Sequence, residues 1–205
     1  MPAKPGCFGG KLRLILASGS SARQKMLRDA GVDCTAIVSA VDEDALKRHI
    51  SGPPPALALA LAQAKAQAVA ASHQAALVIG ADQLLVCGSK IFGKPADLPA
   101  AAAHLRQLSG QTHELVTAAC VIQDETVLWT HVESAQLTMR TLQENFIARY
   151  LAAEGEKILG CVGAYRLEGL GAQLFDRIEG DYFTILGLSL LPLLGFLRSC
   201  GALAG

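Results

Sequence analysis

Alternating strand and helix patterns, followed by two long stretches of alternating polarity, restrict this sequence to an α/β fold. Residues 12–17 predict a strand, and after a small-residue turn at 18–21 residues 22–30 predict a helix. Residues 114–122 and 126–139 alternate apolar and polar side chains and predict an antiparallel pair of strands. We therefore expect a mixed sheet with helices packed against it.

Other segments extend the same pattern. An alanine-rich stretch at 56–76, with prolines at its entry, predicts a long helix. Two apolar stretches flank Asp82-Gln83 and predict strands on either side of this polar pair. The strands predicted here are 35–40, 77–81 and 84–86, and the further helices are 100–108, 142–154 and 190–200.

The composition limits the kinds of partner. Residues 1–11 mix Pro, Gly and Lys without periodicity and predict a mobile tail, while 12–205 predict a single domain with a hydrophobic core. Eighteen Lys and Arg balance eighteen Asp and Glu, so the chain lacks the basic field that attracts nucleic acid polymers. The charge-free segment 183–197 is shorter than the roughly 20 residues of a membrane helix and contains Gly and Pro. We expect neither nucleic acid polymers nor a membrane as partners.

The cysteines predict a reduced compartment. They are scattered, without a C-x-x-C pair and without histidines at zinc-ligand spacing. A cytoplasmic protein is the expectation that follows from this pattern. The six positions are Cys7, Cys34, Cys87, Cys120, Cys161 and Cys200.

The loop from Ser18 to Arg23 is a candidate phosphate site. A turn of small residues between a strand and a helix offers backbone N–H groups, hydroxyls and one cation to an anion. Serine-glycine turns also cap helices in proteins without any ligand there, and the loop alone favours that interpretation.

Isolated charges in apolar surroundings are the second signal. Asp82 follows an apolar run, where a carboxylate is costly unless a cation, a metal or a substrate meets it; the alternative is that it caps the next turn. Lys65 is nearly the only charge in its helix, and taken alone it favours an ammonium that extends to water. Together with Glu43, Lys94 and Arg23, these residues could bind a metal-bound triphosphate.

Ordered motifs give the sequence a family resemblance that covers nearly all of the chain after residue 11. L-I-L-A-S-G-S from Leu14, D-E at Asp42, I-G-A-D before Gln83, and G-K-P around Lys94 all occur in order. L-A-Q-A-K-A around Lys65 and the closing G-A-Y, E-G, I-E-G-D-Y and G-L elements also match. The chain resembles the Maf family of nucleoside triphosphate pyrophosphatases.

This resemblance implies a two-lobed α/β fold with an elongated mixed sheet and a central cleft. It also implies hydrolysis of the anhydride bond between the α- and β-phosphates, giving a nucleoside monophosphate and pyrophosphate, with a divalent cation such as Mg, Mn or Co. Asp82 would be the catalytic carboxylate and a metal ligand, with Glu43 as a second metal ligand. The phosphate-binding residues that it implies are Ser18, Arg23, Lys65 and Lys94.

Three positions distinguish branches of the family. A pyrimidine-preferring branch has Arg, Thr and Gln there, and a branch associated with 7-methyl-GTP has Trp, Gln and Glu. The corresponding residues here are Ala22, Gln83 and Glu168, and Cys161 also matches the second branch. The resemblance thus implies a purine substrate, while Ala22 replaces the aromatic residue that would stack on a methylated base.

The chemistry of Glu168 favours the same branch. An ionised carboxylate is an acceptor-only group and can take both the N1–H and the amino group of guanine. Uracil would place its carbonyl oxygens next to the negative charge of Glu168, which is unfavourable. The alternative is that Glu168 pairs with Arg166 or Arg177 at the surface.

Two other functions remain open from sequence. One is a nucleotide-binding regulator of septum formation or cell division with little turnover, and the other is a pyrimidine triphosphate pyrophosphatase acting on dTTP or UTP. A homodimer is the expected assembly, because symmetric dimers are the commonest oligomers of small enzymes.

Overall fold

A seven-stranded mixed sheet forms the centre of the computed structural model, which describes residues 12–50 and 52–204. The strands are β1 (Leu14–Leu16), β2 (Cys34–Ala36), β3 (Leu77–Cys87), β4 (Lys90–Phe92), β5 (Thr112–Gln123), β6 (Thr126–Met139) and β7 (Phe175–Glu179). Their order in the sheet is β2-β1-β3-β5-β6-β7, and β4 pairs with β3. β1 is parallel to β2 and β3, whereas β4 is antiparallel to β3 and β7 is antiparallel to β6. The predicted mixed α/β fold is confirmed, and the tail predicted at 1–11 lies outside the described residues.

The other regular elements are helices and short 3-10 turns. The helices are α1 (Ser21–Asp29), α2 (Glu43–His49), α3 (Pro54–Ala70), α4 (Leu98–Leu108), α5 (Glu144–Glu154), α6 (Tyr182–Ile185) and α7 (Leu190–Ser199). Short 3-10 turns occupy Gly155–Gly160, Val162–Ala164 and Leu170–Leu174.

The chain divides into two compact units. The first unit comprises the described residues up to Asp82, Ala118–Val132 and the chain from Gly187 onward. The second unit comprises Gln83–Thr117 and Glu133–Leu186. Strands β3, β5 and β6 contribute residues to both units.

Close packing of α3 on β3 organises the first unit. The face of α3 that carries Leu61 and Ala62 is fully buried, and Lys65 lies one turn further along on the same face. A Cβ atom on Gly80 would lie 2.2 Å from the carbonyl oxygen of Ala62, so the strand reaches the helix backbone only because residue 80 is glycine. This close approach sets the distance between Lys65 and the residues that follow Gly80.

Replacing Gly80 with alanine should destabilise the protein. The added methyl group must displace backbone, and overpacking of this kind costs about 1–3 kcal/mol of unfolding free energy or more. Urea denaturation measures the change. Gly195→Ala is the control, because a Cβ atom there meets nothing within 4 Å and α7 should gain about 0.5–1 kcal/mol. Equal stabilities of the two variants would contradict the packing argument.

The second unit has its own apolar core. It is built from β3, α4, β5, β6 and α5, with fully buried side chains such as Leu85, Leu105 and Leu137. His113 is buried in this unit and bonds through Nε2 to the hydroxyl of Tyr165 at 2.8 Å, while burial lowers the pKa of its imidazole to about 4. It is a structural residue of this core.

Several predicted boundaries were wrong. The two apolar stretches around Asp82-Gln83 form one continuous strand, β3, so Asp82 lies inside a strand and does not cap a turn. β2 stops at Ala36, short of the predicted residue 40. Helix α2 and strand β7 were not predicted, although Asp42 caps α2 by accepting a hydrogen bond from the Ala45 N–H at 2.9 Å.

The hydrophobic C-terminal segment forms α6 and α7. Within 12–50 and 52–204, no helix is long and apolar enough to cross a membrane.

Candidate active site

Lys65 joins two carboxylates in the first unit. Its Nζ lies 2.5 Å from Oδ1 of Asp82 and 2.8 Å from Oε1 of Glu43. The side chains of Lys65 and Asp82 are 9% and 7% exposed, so this ion pair is almost fully removed from water. The expectation that the Lys65 ammonium extends to solvent is therefore wrong, because the charge is buried against two opposite charges.

The elements explain why these three groups meet. Lys65 projects from the buried face of α3, Asp82 lies in β3, and Glu43 begins α2. Glu43 is 38% exposed in its side chain and is also 3.8 Å from the Nζ of Lys47, one helical turn on. The cluster thus has a buried side at Asp82 and a solvent-facing side at Glu43.

Arg23 connects the loop before α1 to other parts of the first unit through hydrogen bonds. Its Nε donates to the Gly187 carbonyl at 2.7 Å, and its Nη1 donates to the Ala81 carbonyl at 3.0 Å and to the Ser18 hydroxyl at 3.1 Å. Burial lowers the pKa of the guanidinium, and the negative charges of Asp82 and Glu43 counteract that effect. Arg23 is therefore a buried cation close to the carboxylates.

The loop before α1 is preorganised for an anion. The Ser18 hydroxyl accepts from the Ser20 N–H at 3.2 Å as well as from Arg23, and it keeps its own proton for donation. Ser20 caps α1 by accepting from the Arg23 N–H. Because the first N–H groups of a helix have no partner within it, the start of α1 still offers donors to a phosphate.

Gly187 is a site residue that sequence reasoning recognised only as part of a motif. Its φ is +99°, a conformation open to glycine, and its carbonyl accepts the shortest hydrogen bond of Arg23. The carbonyls of Ala81 and Gly187 therefore help fix the guanidinium, and no residue-type signal marks backbone acceptors of this kind.

The two carboxylates have the chemistry that fits a divalent cation. Magnesium is usually held by one or two carboxylates together with phosphate oxygens and water, and Asp82 and Glu43 supply that donor set. Across the described ranges, no group of three or more His, Cys, Asp or Glu side chains converges into a cage made by protein alone.

Gln83 and Lys94 belong to the second unit. The Gln83 side-chain nitrogen donates to the Thr117 hydroxyl at 2.9 Å and to the Thr184 carbonyl at 2.9 Å. Lys94 is exposed in the loop between β4 and α4. Sequence analysis did not assign a role to Thr117, although a hydroxyl in the apolar part of β5 needs a hydrogen-bond partner and could have been noticed.

Glu168 has the arginine partner that the sequence offered as its alternative. Nε of Arg166 lies 3.2 Å from Oε1 of Glu168, while Nη1 of Arg166 lies 3.3 Å from Oε2 of the buried Glu154. Glu154 also accepts from the Leu170 N–H at 3.1 Å, which anchors the chain beyond Glu168. Arg177 pairs instead with Glu179.

Cys161 lies in the electrostatic neighbourhood of Glu168. Burial raises the pKa of its thiol, Glu168 raises it further, and Arg166 and Lys94 counteract the shift. The thiol is therefore kept protonated and is unsuited to act as a nucleophile. Cys34, Cys87, Cys120 and Cys200 are also free thiols.

Ala22 lies half-buried in the first turn of α1. Its methyl side chain has no aromatic surface for stacking on a base. The structure thus brings Ser18, Arg23, Glu43, Lys65 and Asp82 together within the first unit, while Gln83, Lys94 and Glu168 lie in the second.

Comparison with known proteins identifies the family. The sequence profile described as Maf-like protein matches residues 13–200. A nucleoside triphosphate pyrophosphatase of Granulibacter bethesdensis is 51% identical over 195 residues, covering 94% of this chain and 99% of the relative. A 7-methyl-GTP pyrophosphatase of Mesorhizobium japonicum is 52% identical over 196 residues, covering 94% and 98%. A nucleoside triphosphate pyrophosphatase of Paramagnetospirillum magneticum is 50% identical over 192 residues, covering 92% and 99%.

The match extends through both units and includes every motif that carried the resemblance. The chain belongs to the Maf-like protein family.

Proposed function

We propose that this protein hydrolyses a purine nucleoside triphosphate to its monophosphate and pyrophosphate. The observation that carries the proposal is the buried contact of Lys65 with Asp82 and Glu43, beside the buried cation Arg23. A buried charge cluster is costly to maintain, and such clusters concentrate at functional sites. Relatives at about half identity bear the names of nucleoside triphosphate pyrophosphatases.

Phosphoryl chemistry needs positioning and charge neutralisation more than it needs a covalent nucleophile. Ser18 and the start of α1 offer hydrogen-bond donors to phosphate oxygens, and Arg23 and Lys65 supply positive charge. Lys94 of the second unit is proposed as a further phosphate-binding cation. Ser18, Arg23 and Lys65 are held in place by hydrogen bonds and ion pairs before substrate arrives, which lowers the entropic cost of the reaction.

Asp82 is the proposed catalytic carboxylate. Its Oδ1 is held by Lys65, and a carboxylate fixed in this way can orient a water molecule and accept its proton. Asp82 and Glu43 would hold a divalent cation such as Mg, Mn or Co, which supplies charge neutralisation at the phosphate oxygens. The buried position of Asp82 keeps competing water away from this carboxylate.

Base recognition is assigned to the second unit. Glu168 uses Oε1 for Arg166, and no described residue bonds its other oxygen, Oε2. That acceptor suits a donor on a guanine-like base, and Gln83 provides a second polar group in the same unit. With Ala22 in place of an aromatic residue, we propose guanine-like bases in general, 7-methyl-GTP included, as substrates.

Glu168→Gln should lower kcat/KM for GTP by about tenfold or more while leaving UTP hydrolysis unchanged or improved, because an amide replaces an acceptor-only carboxylate. The measurement is pyrophosphate release with Mg²⁺ for GTP, 7-methyl-GTP, UTP and dTTP. Glu179→Gln is the matched control, since Glu179 pairs with an arginine two residues earlier just as Glu168 does.

Two results of the same panel would count against these assignments. A preference for UTP or dTTP in the wild-type protein would contradict the purine assignment. Absence of pyrophosphate release from every nucleotide would contradict the enzymatic proposal itself and favour a binding role.

We also propose a cytoplasmic location and a homodimer. The free thiols are compatible with a reducing compartment, where nucleotide substrates are available. Light scattering of the purified chain tests the dimer, and a monomer mass would contradict it.

A further inference from the structure

The amide group of Gln83 is held by three oxygen atoms of the second unit. Nε2 donates to Thr117 Oγ1 at 2.9 Å, to the Thr184 carbonyl at 2.9 Å and to the Ile185 carbonyl at 3.1 Å. A primary amide has two N–H protons, so both are committed and one is shared. The donor end of Gln83 is therefore unavailable to a ligand.

The amide cannot be turned around. The Thr184 and Ile185 carbonyls lie at the end of the short helix α6, and a carbonyl oxygen can only accept hydrogen bonds. Rotating the amide by 180° would place its oxygen against both of them. The positions of the nitrogen and the oxygen thus follow from the chemistry of the neighbours.

Thr117 fixes the direction of the third bond. Its side chain is fully buried in β5, and its hydroxyl donates to the Thr184 carbonyl at 2.9 Å. The single hydroxyl proton is used in that bond, so toward Gln83 this oxygen can only accept. The hydrogen bonds run in one direction, from Gln83 to Thr117 and from Thr117 to Thr184.

The remaining atom of the amide is the carbonyl oxygen Oε1. It makes no hydrogen bond with any residue that the structure describes, and Gln83 is partly exposed to solvent. Gln83 therefore presents an acceptor with fixed orientation, although glutamine in general can donate or accept.

We infer that Thr117 is a positioning residue that locks Gln83 as a one-sided acceptor, so that Oε1 of Gln83 selects a hydrogen-bond donor on the bound nucleotide. The identity of the ligand rests on the proposed function. The donors that a guanine base offers are the ring N1–H and the 2-amino group. A base without a hydrogen-bond donor at the matching position would leave Oε1 unpaired. An unpaired acceptor of this kind gives strong discrimination between bases.

Thr117→Val tests the lock, because valine keeps the shape of threonine and removes the hydroxyl. Thr117→Ser is the matched control, since it keeps the hydroxyl and loses the methyl group. The readout is kcat/KM for GTP, for ITP, which lacks the 2-amino group, and for 2-aminopurine riboside triphosphate, which lacks N1–H.

In the wild-type protein and in Thr117→Ser, GTP should exceed at least one of these analogues by about tenfold or more. In Thr117→Val that ratio should fall to within about threefold of unity, because Nε2 is then held only by the Thr184 and Ile185 carbonyls and the direction of Oε1 is no longer fixed. If Thr117→Val lowers all three nucleotides by a common factor and keeps their ratios, the residue is merely structural and the inference is wrong.

A second readout does not depend on turnover. In protein labelled with ¹⁵N at glutamine, the two Gln83 side-chain N–H protons should exchange slowly with water in the wild type and in Thr117→Ser, and faster in Thr117→Val. Gln83→Leu assigns the signal by its loss. Rapid exchange in the wild-type protein would overturn the lock even if every nucleotide is hydrolysed, whereas slow exchange without hydrolysis would overturn only the proposed function.

Discussion

Asp82→Asn should reduce nucleoside triphosphate hydrolysis by about a thousandfold or more, with little change in the folded structure. Asparagine keeps an oxygen that can accept from Lys65, but it removes the charge that receives a proton and helps hold a cation. Steady-state pyrophosphate release at saturating Mg²⁺ measures the loss. Circular dichroism checks that the variant is folded.

Asp29→Asn is the control for this substitution. Asp29 is an aspartate of the first unit that is half exposed and pairs with Lys25 on the surface of α1. Its replacement should leave hydrolysis within about twofold of the wild type, because exposed pairs contribute little. If Asp82→Asn retained comparable activity, Asp82 would not be the catalytic carboxylate.

Lys65→Met should reduce both activity and stability. Methionine fills the same space but leaves Asp82 buried without its cation, and breaking a buried ion pair in this way costs about 3–5 kcal/mol. The loss of a cation at the reacting phosphates should lower kcat by about a hundredfold or more. Urea denaturation and pyrophosphate release measure the two effects separately.

A double substitution distinguishes stability from catalysis. In Lys65→Met with Asp82→Leu, both members of the buried pair are replaced by apolar groups, and most of the lost stability should return while activity stays absent. Lys25→Met is the surface control, because its side chain is 66% exposed and should change neither quantity measurably. Full activity in Lys65→Met would contradict the role of the cluster.

The sequence was sufficient to predict the mixed α/β architecture, and it named Glu43, Lys65 and Asp82 as candidates without predicting that Lys65 pairs with the two carboxylates. The periodicity of apolar residues predicted the mixed sheet, because their spacing indicates which face of each strand or helix is buried. Asp82 stood out because a carboxylate in an apolar run needs a partner. The structure identifies that partner as Lys65, the residue for which sequence alone favoured a surface role.

The features that the sequence did not reveal were missed for different physical reasons. The carbonyls of Gly187 and Ala81 fix Arg23, and any residue could supply a carbonyl. Sequence offered Glu168 two arginines and could not choose between them, because loop conformation decides which guanidinium is near. Helix α2 was missed although its acidic start and basic end are typical of a helix, because it is short and lacks buried side chains.

The identity of the reaction products tests the central claim most directly. Incubating the wild-type protein with GTP and Mg²⁺ and following the phosphorus resonances by ³¹P NMR distinguishes cleavage after the α-phosphate from cleavage after the β-phosphate. We expect GMP and pyrophosphate in equal amounts from the first turnovers onward. Formation of GDP and inorganic phosphate, or no change in the nucleoside triphosphate, would contradict the proposed function.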